Sequence, residues 1–258
     1  MNTTLVLERS PLEGTLNILR FNWPRYALAL AAVTLGTGLL LAVPVPRPLR
    51  VVLGLGIALG TWWALGSVVV SYWVYDRSGM YEWTWLGSFL PRPPRRWVNV
   101  HCGFDETSPA LERVFPGARG EVLDLYDPRV MTEGSIRRAR RHMRGDRDAR
   151  GAGLRALPLI PARSFDAAFC LLAAHELRLP QQRAMLFREL HRLVRPEGHV
   201  VVVEHLRDPA NFVAFGPGFL HFHPRRLWRG LALDHGFVLD REMSLTPFVR
   251  AFLLRRVP

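Results

Sequence analysis

Histidine and carboxylate residues follow two of the apolar runs in the C-terminal half of the chain. His175-Glu176 comes directly after one run, and Glu204-His205 ends another. Histidine changes its charge near neutral pH, and a neighbouring acid can orient its ring, so such pairs can position or deprotonate a substrate. We therefore take His175 and Glu176 as the first catalytic candidates and His205 as the reserve. The alternative is that His175 only caps its strand or contacts a cofactor.

More polar residues lie at the ends of two earlier apolar runs, at 101–106 and 124–127. In a mostly parallel sheet, ligands bind beyond the carboxyl ends of the strands. We therefore expect these residues to meet the two histidine–carboxylate pairs at one edge of the sheet.

Short apolar runs alternate with helix-like stretches from Arg96 onward, which indicates repeated strand–helix units around a mostly parallel sheet. The predicted strands are Trp97–Val100, Glu121–Leu125, Phe165–Ala173, His199–Val203, Phe237–Arg241 and Phe248–Leu254. Pro180 can open a helix, and the turn at 195–198 would end it. The last two strands are close enough in sequence to pair antiparallel. The predicted fold class is α/β.

The segment SFDAAFCLLAAHELRLPQQRAMLFRELHRLVRPEGHVVVVEH contains a strand, a helix and a second strand. It resembles the second half of class I S-adenosylmethionine-dependent methyltransferases of the quinone-biosynthesis type. The usual pattern of that family begins with FD, an apolar run and HHL. It continues with a helix that contains RE-x-x-R-x-L-P-x-G and ends with a final apolar strand. The resemblance extends from about Trp97 to Arg255. It implies a Rossmann-like, seven-stranded sheet with an antiparallel last strand, S-adenosylmethionine as the cofactor and methyl transfer as the activity.

Two segments fall where this family binds its cofactor. WVNVHCGFDETSPAL stands at the position of the glycine-rich loop, and EVLDLYDP stands where an acid ends the second strand and binds the ribose hydroxyls. The resemblance implies cofactor-binding positions at Asn99, His101, Gly103, Asp105 and Asp124. The loop departs from the family pattern, because Asn99 replaces an aspartate and only Gly103 remains of three glycines.

These departures leave other functions open. A non-catalytic descendant with a degenerate cofactor pocket could serve as a methyltransferase-like scaffold for membrane partners. An acid usual after the third strand is also missing, with Gly151-Ala152-Gly153 nearest to its position. A nucleotide-cofactor oxidoreductase could use a similar sheet, but the GxGxxG spacing is absent.

A metal site is a further possibility that the sequence does not favour. His221 and His223 could act as ligands together with Glu204 or His205, but no third ligand has a recognisable spacing. We therefore expect no bound metal.

Two long apolar runs precede the α/β region. No charged residue occurs from Tyr26 to Pro46 or from Val51 to Tyr75, and each run can span a bilayer as a helix of about 20 residues. We expect a cytosolic segment at 1–22, a transmembrane hairpin at 23–76, an interfacial linker at 77–96 and a methyltransferase-like domain at 97–258. The arginines that flank the hairpin favour a cytosolic location for both ends. The alternative, a cleaved signal peptide, fits poorly with a second apolar run that follows at once.

The chain is basic, with a formal net charge of +12 and no lysine. Its partners could be nucleic acid, anionic lipid or acidic substrates, and the apolar runs favour lipid. The most basic stretch, at 137–150, has no interleaved aromatic residues, so we expect no nucleic-acid partner. That stretch either faces lipid or is a solvated helix face. The expected partners are thus the lipid bilayer and a small-molecule or lipid acceptor, with the oligomeric state unspecified. Two cysteines without a CxxC pair fit a reducing, cytosolic setting.

Overall fold

The computed structural model describes residues 10–142, 150–151 and 153–257. The chain divides into two compact units between Gly79 and Met80. The first unit is helical, and the second contains the β-sheet. Residues 143–149 of the predicted basic stretch lie outside the described residues.

The first unit consists of two long helices, α1 (Glu13–Ala42) and α2 (Arg47–Tyr72), and the π-helical turn Trp73–Arg77 follows α2. Both helices are long and apolar enough to cross a membrane, with mean hydropathies of 1.6 and 1.7, and neither apolar stretch is buried. Glycines let the helices approach each other: a Cβ added at Gly36 would lie 3.2 Å from Ile57, and one added at Gly60 would lie 3.6 Å from Val33.

Helix α1 begins earlier than the predicted hairpin. The carboxylate of Asp76 accepts hydrogen bonds from the backbone amides of Gly14, at 2.8 Å, and Thr15, at 2.9 Å. Backbone N–H groups in the first turn of a helix lack partners within the helix, and an acid there also interacts favourably with the helix dipole. Residues 13–22 of the predicted cytosolic segment are therefore the first part of α1.

The second unit contains a seven-stranded sheet in the order β3-β2-β1-β4-β5-β7-β6. The strands are β1 (Arg96–His101), β2 (Arg119–Asp124), β3 (Arg150–Gly151), β4 (Phe165–Leu171), β5 (Val194–His205), β6 (Phe237–Ser244) and β7 (Val249–Arg256). Strands β1 to β5 pair in parallel, and β7 pairs antiparallel with both of its neighbours. The predicted α/β sheet with an antiparallel last strand is confirmed, although β3 has only two residues.

Six α-helices accompany the sheet. They are α3 (Leu86–Phe89), α4 (Ser108–Val114), α5 (Gly134–His142), α6 (Pro180–Leu193), α7 (Pro209–Phe215) and α8 (Arg225–Asp234). Four short 3-10 helices, at Met80–Glu82, Gly153–Leu159, Ala174–Glu176 and Gly216–His221, complete the described helical elements. The segment predicted to be interfacial folds into this unit, because Trp83 is fully buried and Arg241 donates a hydrogen bond to the Ser88 carbonyl.

The core explains why the central strands are continuous apolar runs. Val200 to Val203 are buried, as expected for a parallel strand that is covered on both faces. The irregular first part of β5 depends on Gly198, because an added Cβ would lie 2.5 Å from the Val194 side chain and 2.9 Å from the Asp166 carbonyl oxygen. The residues around it shift the β4–β5 register between Phe165 and Ala167.

Candidate active site

Asn99 and Asp105 fix the loop that follows β1. The Asn99 amide donates to Asp105 at 3.2 Å and to the hydroxyls of Thr107 and Ser108 at 2.7 and 2.8 Å. Asp105 in turn accepts hydrogen bonds from the backbone amides of Thr107 and Ser108. These amides lead into α4, so side-chain hydrogen bonds hold the loop between β1 and α4. Both residues are buried.

His101 and Gly103 lie at the carboxyl end of β1, beside the end of β2. The backbone amide of Gly103 donates to His101 Nδ1 at 3.2 Å, so the ring carries its proton on Nε2 when it is neutral. Nε2 is buried and has no hydrogen-bond partner among the described residues. Gly103 has a φ of +93°, which favours glycine. The end of β1 thus presents a buried donor that a polar ligand atom could satisfy.

Asp124 ends β2 as the register partner of His101 and is buried. One of its oxygens accepts a hydrogen bond from the Tyr126 amide at 2.9 Å. The other forms an ion pair with the guanidinium of Arg140, from α5. The Asp124 carboxylate is therefore in place at the strand end, but it is already paired.

Arg140 covers two of the five residues that the resemblance assigns to cofactor binding, Gly103 and Asp124. Its aliphatic stem lies over Gly103, where an added Cβ would be 3.0 Å from Cδ of Arg140, and its head pairs with Asp124. The guanidinium also lies over the Tyr126 ring, 4.3 Å from its centre. Sequence reasoning missed this role, because Arg140 is one of many arginines in the basic stretch and nothing in its spacing distinguishes it.

His175 is held by two carboxylates at the carboxyl end of β4. Its Nδ1 lies 2.6 Å from Oε2 of Glu204, which is fully buried, and its Nε2 lies 3.4 Å from Oε1 of Glu176. Burial lowers the pKa of His175, but the two carboxylates outweigh that effect and raise it to about 10. In this arrangement the ring holds its proton at neutral pH, which suits orienting an acceptor better than deprotonating one.

His205 occupies a different environment. Its ring stacks on Phe222 with 4.8 Å between centroids, and its Nδ1 lies 3.1 Å from the Phe248 carbonyl oxygen. Burial and the nearby positive charge of His175 lower the pKa of His205 to about 4, so the ring is neutral at physiological pH. The stacking and the Phe248 contact favour a packing role for the reserve candidate.

The structure brings His221, but not His223, to the first pair of candidates. His221 Nε2 lies 3.7 Å from Oε1 of Glu176. His223 instead lies 3.3 Å from the guanidinium of Arg183 and packs edge-on against Trp228. The two histidines are separated by one residue in the sequence, so spacing alone could not tell them apart.

Comparisons with known proteins agree with this fold. Residues 100–202 match a family model described as a methyltransferase domain. A solved S-adenosylmethionine-dependent methyltransferase from Aquifex aeolicus is 16% identical with a TM-score of 0.52, over 70% of this chain and 94% of its own. An O-methyltransferase family protein from Burkholderia thailandensis is also 16% identical with a TM-score of 0.52, over 99% of this chain and 74% of its own.

Geranyl diphosphate C-methyltransferase from Streptomyces coelicolor, solved with Mg²⁺, geranyl diphosphate and S-adenosyl-L-homocysteine, is 18% identical with a TM-score of 0.51. That similarity covers 74% of this chain and 84% of the other. At such identities the structural similarities show the fold alone. No curated protein matches the chain in sequence.

Proposed function

We propose that this chain is a membrane-bound methyltransferase that methylates a lipid-soluble or headgroup acceptor. Residues 100–202, which match a family model described as a methyltransferase domain, support this proposal. The cofactor indicated by such a domain is S-adenosylmethionine. The observation that carries the proposal is the pairing of His101 with Asp124 at adjacent strand ends, where a sheet of this topology binds its nucleotide cofactor.

The residues at these strand ends fit the cofactor once Arg140 moves aside. Asp124 offers a buried carboxylate that can accept hydrogen bonds from two ribose hydroxyls. His101 offers a buried Nε2 that lacks a partner among the described residues. The aliphatic stem of Arg140 fills the space above Gly103, where an added side chain would collide with it. If the stem moved away, part of a ligand could fill the same space.

The cofactor supplies a methyl group on a positively charged sulfur, which is a good leaving group. The protein therefore needs mainly to align the acceptor and to exclude water. His175 and Glu176 lie at the end of β4, and the buried Glu204 fixes the orientation of the His175 ring. We assign to His175 the orientation of the acceptor's polar atom, and to the Glu176 carboxylate the acceptance of its proton.

Membrane attachment is supported by the two helices of the first unit. Their apolar stretches are not buried, and residues such as Leu35 and Leu41 expose 73% and 83% of their surface. Leucines exposed to this extent along two long helices are better accommodated by lipid than by water. An acceptor that partitions into the bilayer would then be held near the enzyme.

Calorimetry of the 258-residue chain in detergent tests the catalytic proposal. We expect saturable binding of S-adenosylmethionine, and binding at least about tenfold weaker in Asp124→Asn. Asp127→Asn is the matched control, because Asp127 lies nearby but pairs with Arg129. A native chain that does not bind the cofactor would refute the proposal. Flotation of the chain with liposomes tests membrane attachment separately.

One observation favours a second candidate, the non-catalytic scaffold. Arg140 already satisfies Asp124 and covers Gly103 without any ligand. In a scaffold this arrangement would be permanent. The scaffold predicts that Asp124→Asn leaves the cellular function unchanged, whereas the enzyme predicts its loss.

A further inference from the structure

Two histidines and one glutamate from different elements converge beside the sheet. His175 and Glu176 come from the 3-10 helix after β4, and His221 ends the 3-10 helix Gly216–His221. One possible ligand atom from each of the three residues lies within 4.8 Å of the others. We propose that His175, Glu176 and His221 form a binding site for a divalent transition metal such as Zn²⁺.

The spacing of the three side chains suits a metal ion. The Glu176 Oε1 atom lies 3.4 Å from His175 Nε2 and 3.7 Å from His221 Nε2. Ligands at about 2.0–2.1 Å in a tetrahedral site lie roughly 3.4 Å apart, so only small movements are needed. Three protein ligands would leave one position open for water or an acceptor oxygen.

A second observation points to a metal, namely the orientation of the two rings. His175 Nδ1 lies 2.6 Å from Glu204, and His221 Nδ1 lies 3.3 Å from Glu133. Each ring thus has a carboxylate near Nδ1 and presents Nε2 towards Glu176, and in His221 the Arg178 guanidinium also contacts Nδ1. A histidine that binds metal through one nitrogen usually donates the other N–H to such a partner.

The local charge also favours a cation. The cluster contains the carboxylates of Glu133, Glu176 and Glu204, against one guanidinium from Arg178. Arg178 binds Glu133 at 2.7 Å and also contacts the His221 ring. Arg178 and the proton on His175 are therefore the competing cations. When the metal binds, the contact of Arg178 with the His221 ring must loosen and His175 must lose its proton from Nε2.

The choice of metal follows from the ligand types. Two imidazoles and one carboxylate suit Zn²⁺, Co²⁺ or Fe²⁺, whereas Mg²⁺ prefers an all-oxygen shell. Two of the three ligands, His175 and Glu176, are the residues that we assign to the acceptor, so in the metal-bound chain they would hold the acceptor oxygen through the open position of the ion. Metal binding itself does not depend on the methyltransferase proposal, because it requires no cofactor.

The test is titration of the chelator-treated, tag-free chain in detergent with Zn²⁺ by calorimetry and with Co²⁺ by visible absorption. We expect about one ion per chain and a tetrahedral Co²⁺ spectrum. His221→Gln and Glu176→Gln should each weaken binding about 100-fold, and Glu204→Gln about tenfold or more. His223→Gln is the matched control, because His223 lies two positions from His221 and contacts Arg183 instead.

Arg178→Met provides an independent check against simple loss of folding. Removing the competing cation should tighten Zn²⁺ binding, whereas general damage to the fold would weaken it. Stoichiometric binding that persists in His221→Gln, or that His223→Gln abolishes, would overturn the ligand assignment. Failure of the native chain to bind Zn²⁺ would overturn the site. Neither result would affect S-adenosylmethionine binding, which is measured separately with Asp124→Asn.

Discussion

The Arg140 side chain should act as a competitor of the cofactor. Its stem lies over Gly103 and its head pairs with Asp124, so a ligand that uses both residues must displace it. Arg140→Ala removes the stem beyond Cβ and the charge together, and alanine is compatible with its position in helix α5. We expect this variant to bind S-adenosylmethionine more tightly than the native chain.

The size of the effect follows from the contacts that the cofactor must break. The Arg140 side chain is 39% exposed, so solvent screening limits its ion pair with Asp124 to about 1 kcal/mol. The contact with the Tyr126 ring adds about 0.5–1 kcal/mol. Together they amount to about 1.5–2 kcal/mol, which corresponds to roughly 10- to 30-fold in affinity.

The assay compares the dissociation constants of S-adenosylmethionine and its demethylated product for three proteins by calorimetry. Arg141→Ala is the matched control, because Arg141 neighbours Arg140 on the same helix but is exposed. It should bind both ligands like the native chain. Arg140→Ala should also lower the melting temperature in the absence of ligand, since it leaves the buried Asp124 without its ion-pair partner.

Weaker binding in Arg140→Ala would refute this reasoning. Such a result would mean that Arg140 binds the cofactor, for example by pairing with the cofactor's carboxylate, instead of excluding the cofactor from the site. Unchanged binding would show that the side chain leaves the site at no measurable cost.

Three further predictions concern stability and reactivity. Gly198→Ala should reduce the free energy of unfolding by about 2 kcal/mol or more, because its Cβ would overlap a valine side chain and two backbone oxygens. Gly230→Ala, where an added Cβ meets nothing within 4 Å, should be neutral or slightly stabilising in the same urea titration. The pKa of His205 is about 4 in the folded chain against an ordinary value of 6.5, so its unfolded form binds more protons between these values. The stability that it contributes is therefore complete above pH 6.5 and falls by about 3 kcal/mol towards pH 4, and His205→Asn should reduce this loss. The thiols of Cys102 and Cys170 are buried, and burial raises the pKa of both, so fast labelling of the native chain by a thiol reagent would contradict the fold.

The strands could be predicted from the sequence because burial on both faces imposes a local signature. The run around Val200 must be apolar at every position, and the predicted run at 199–203 lies inside β5. Strand β3 could not be predicted, since a two-residue strand at Arg150–Gly151 has no length over which a pattern can develop. The early start of α1 could not be predicted either, because the backbone amide of Gly14 in its first turn is bound by Asp76, which is distant in the sequence.

The candidate site could be predicted only in part, because some of its residues are brought there by contacts that are distant in the sequence. His175, Glu176 and Asp124 were recognisable because each stands at a strand end, and the edge of a parallel sheet collects such residues. Arg140 and His221 reach the site from a helix end and from a connecting segment, and only the tertiary fold decides where those side chains point.

The altered loop after β1 is one connected arrangement instead of a set of independent substitutions. At a position where the resemblance to methyltransferases implies glycine, Asp105 accepts hydrogen bonds from the amides of Thr107 and Ser108 and so fixes the loop. His101 accepts the Gly103 amide, which turns the backbone beneath the Arg140 stem. A single reversion to glycine would therefore remove hydrogen bonds without removing the arginine. Arg140 lies over Gly103 and pairs with Asp124, so we expect its movement to control the entry of the cofactor.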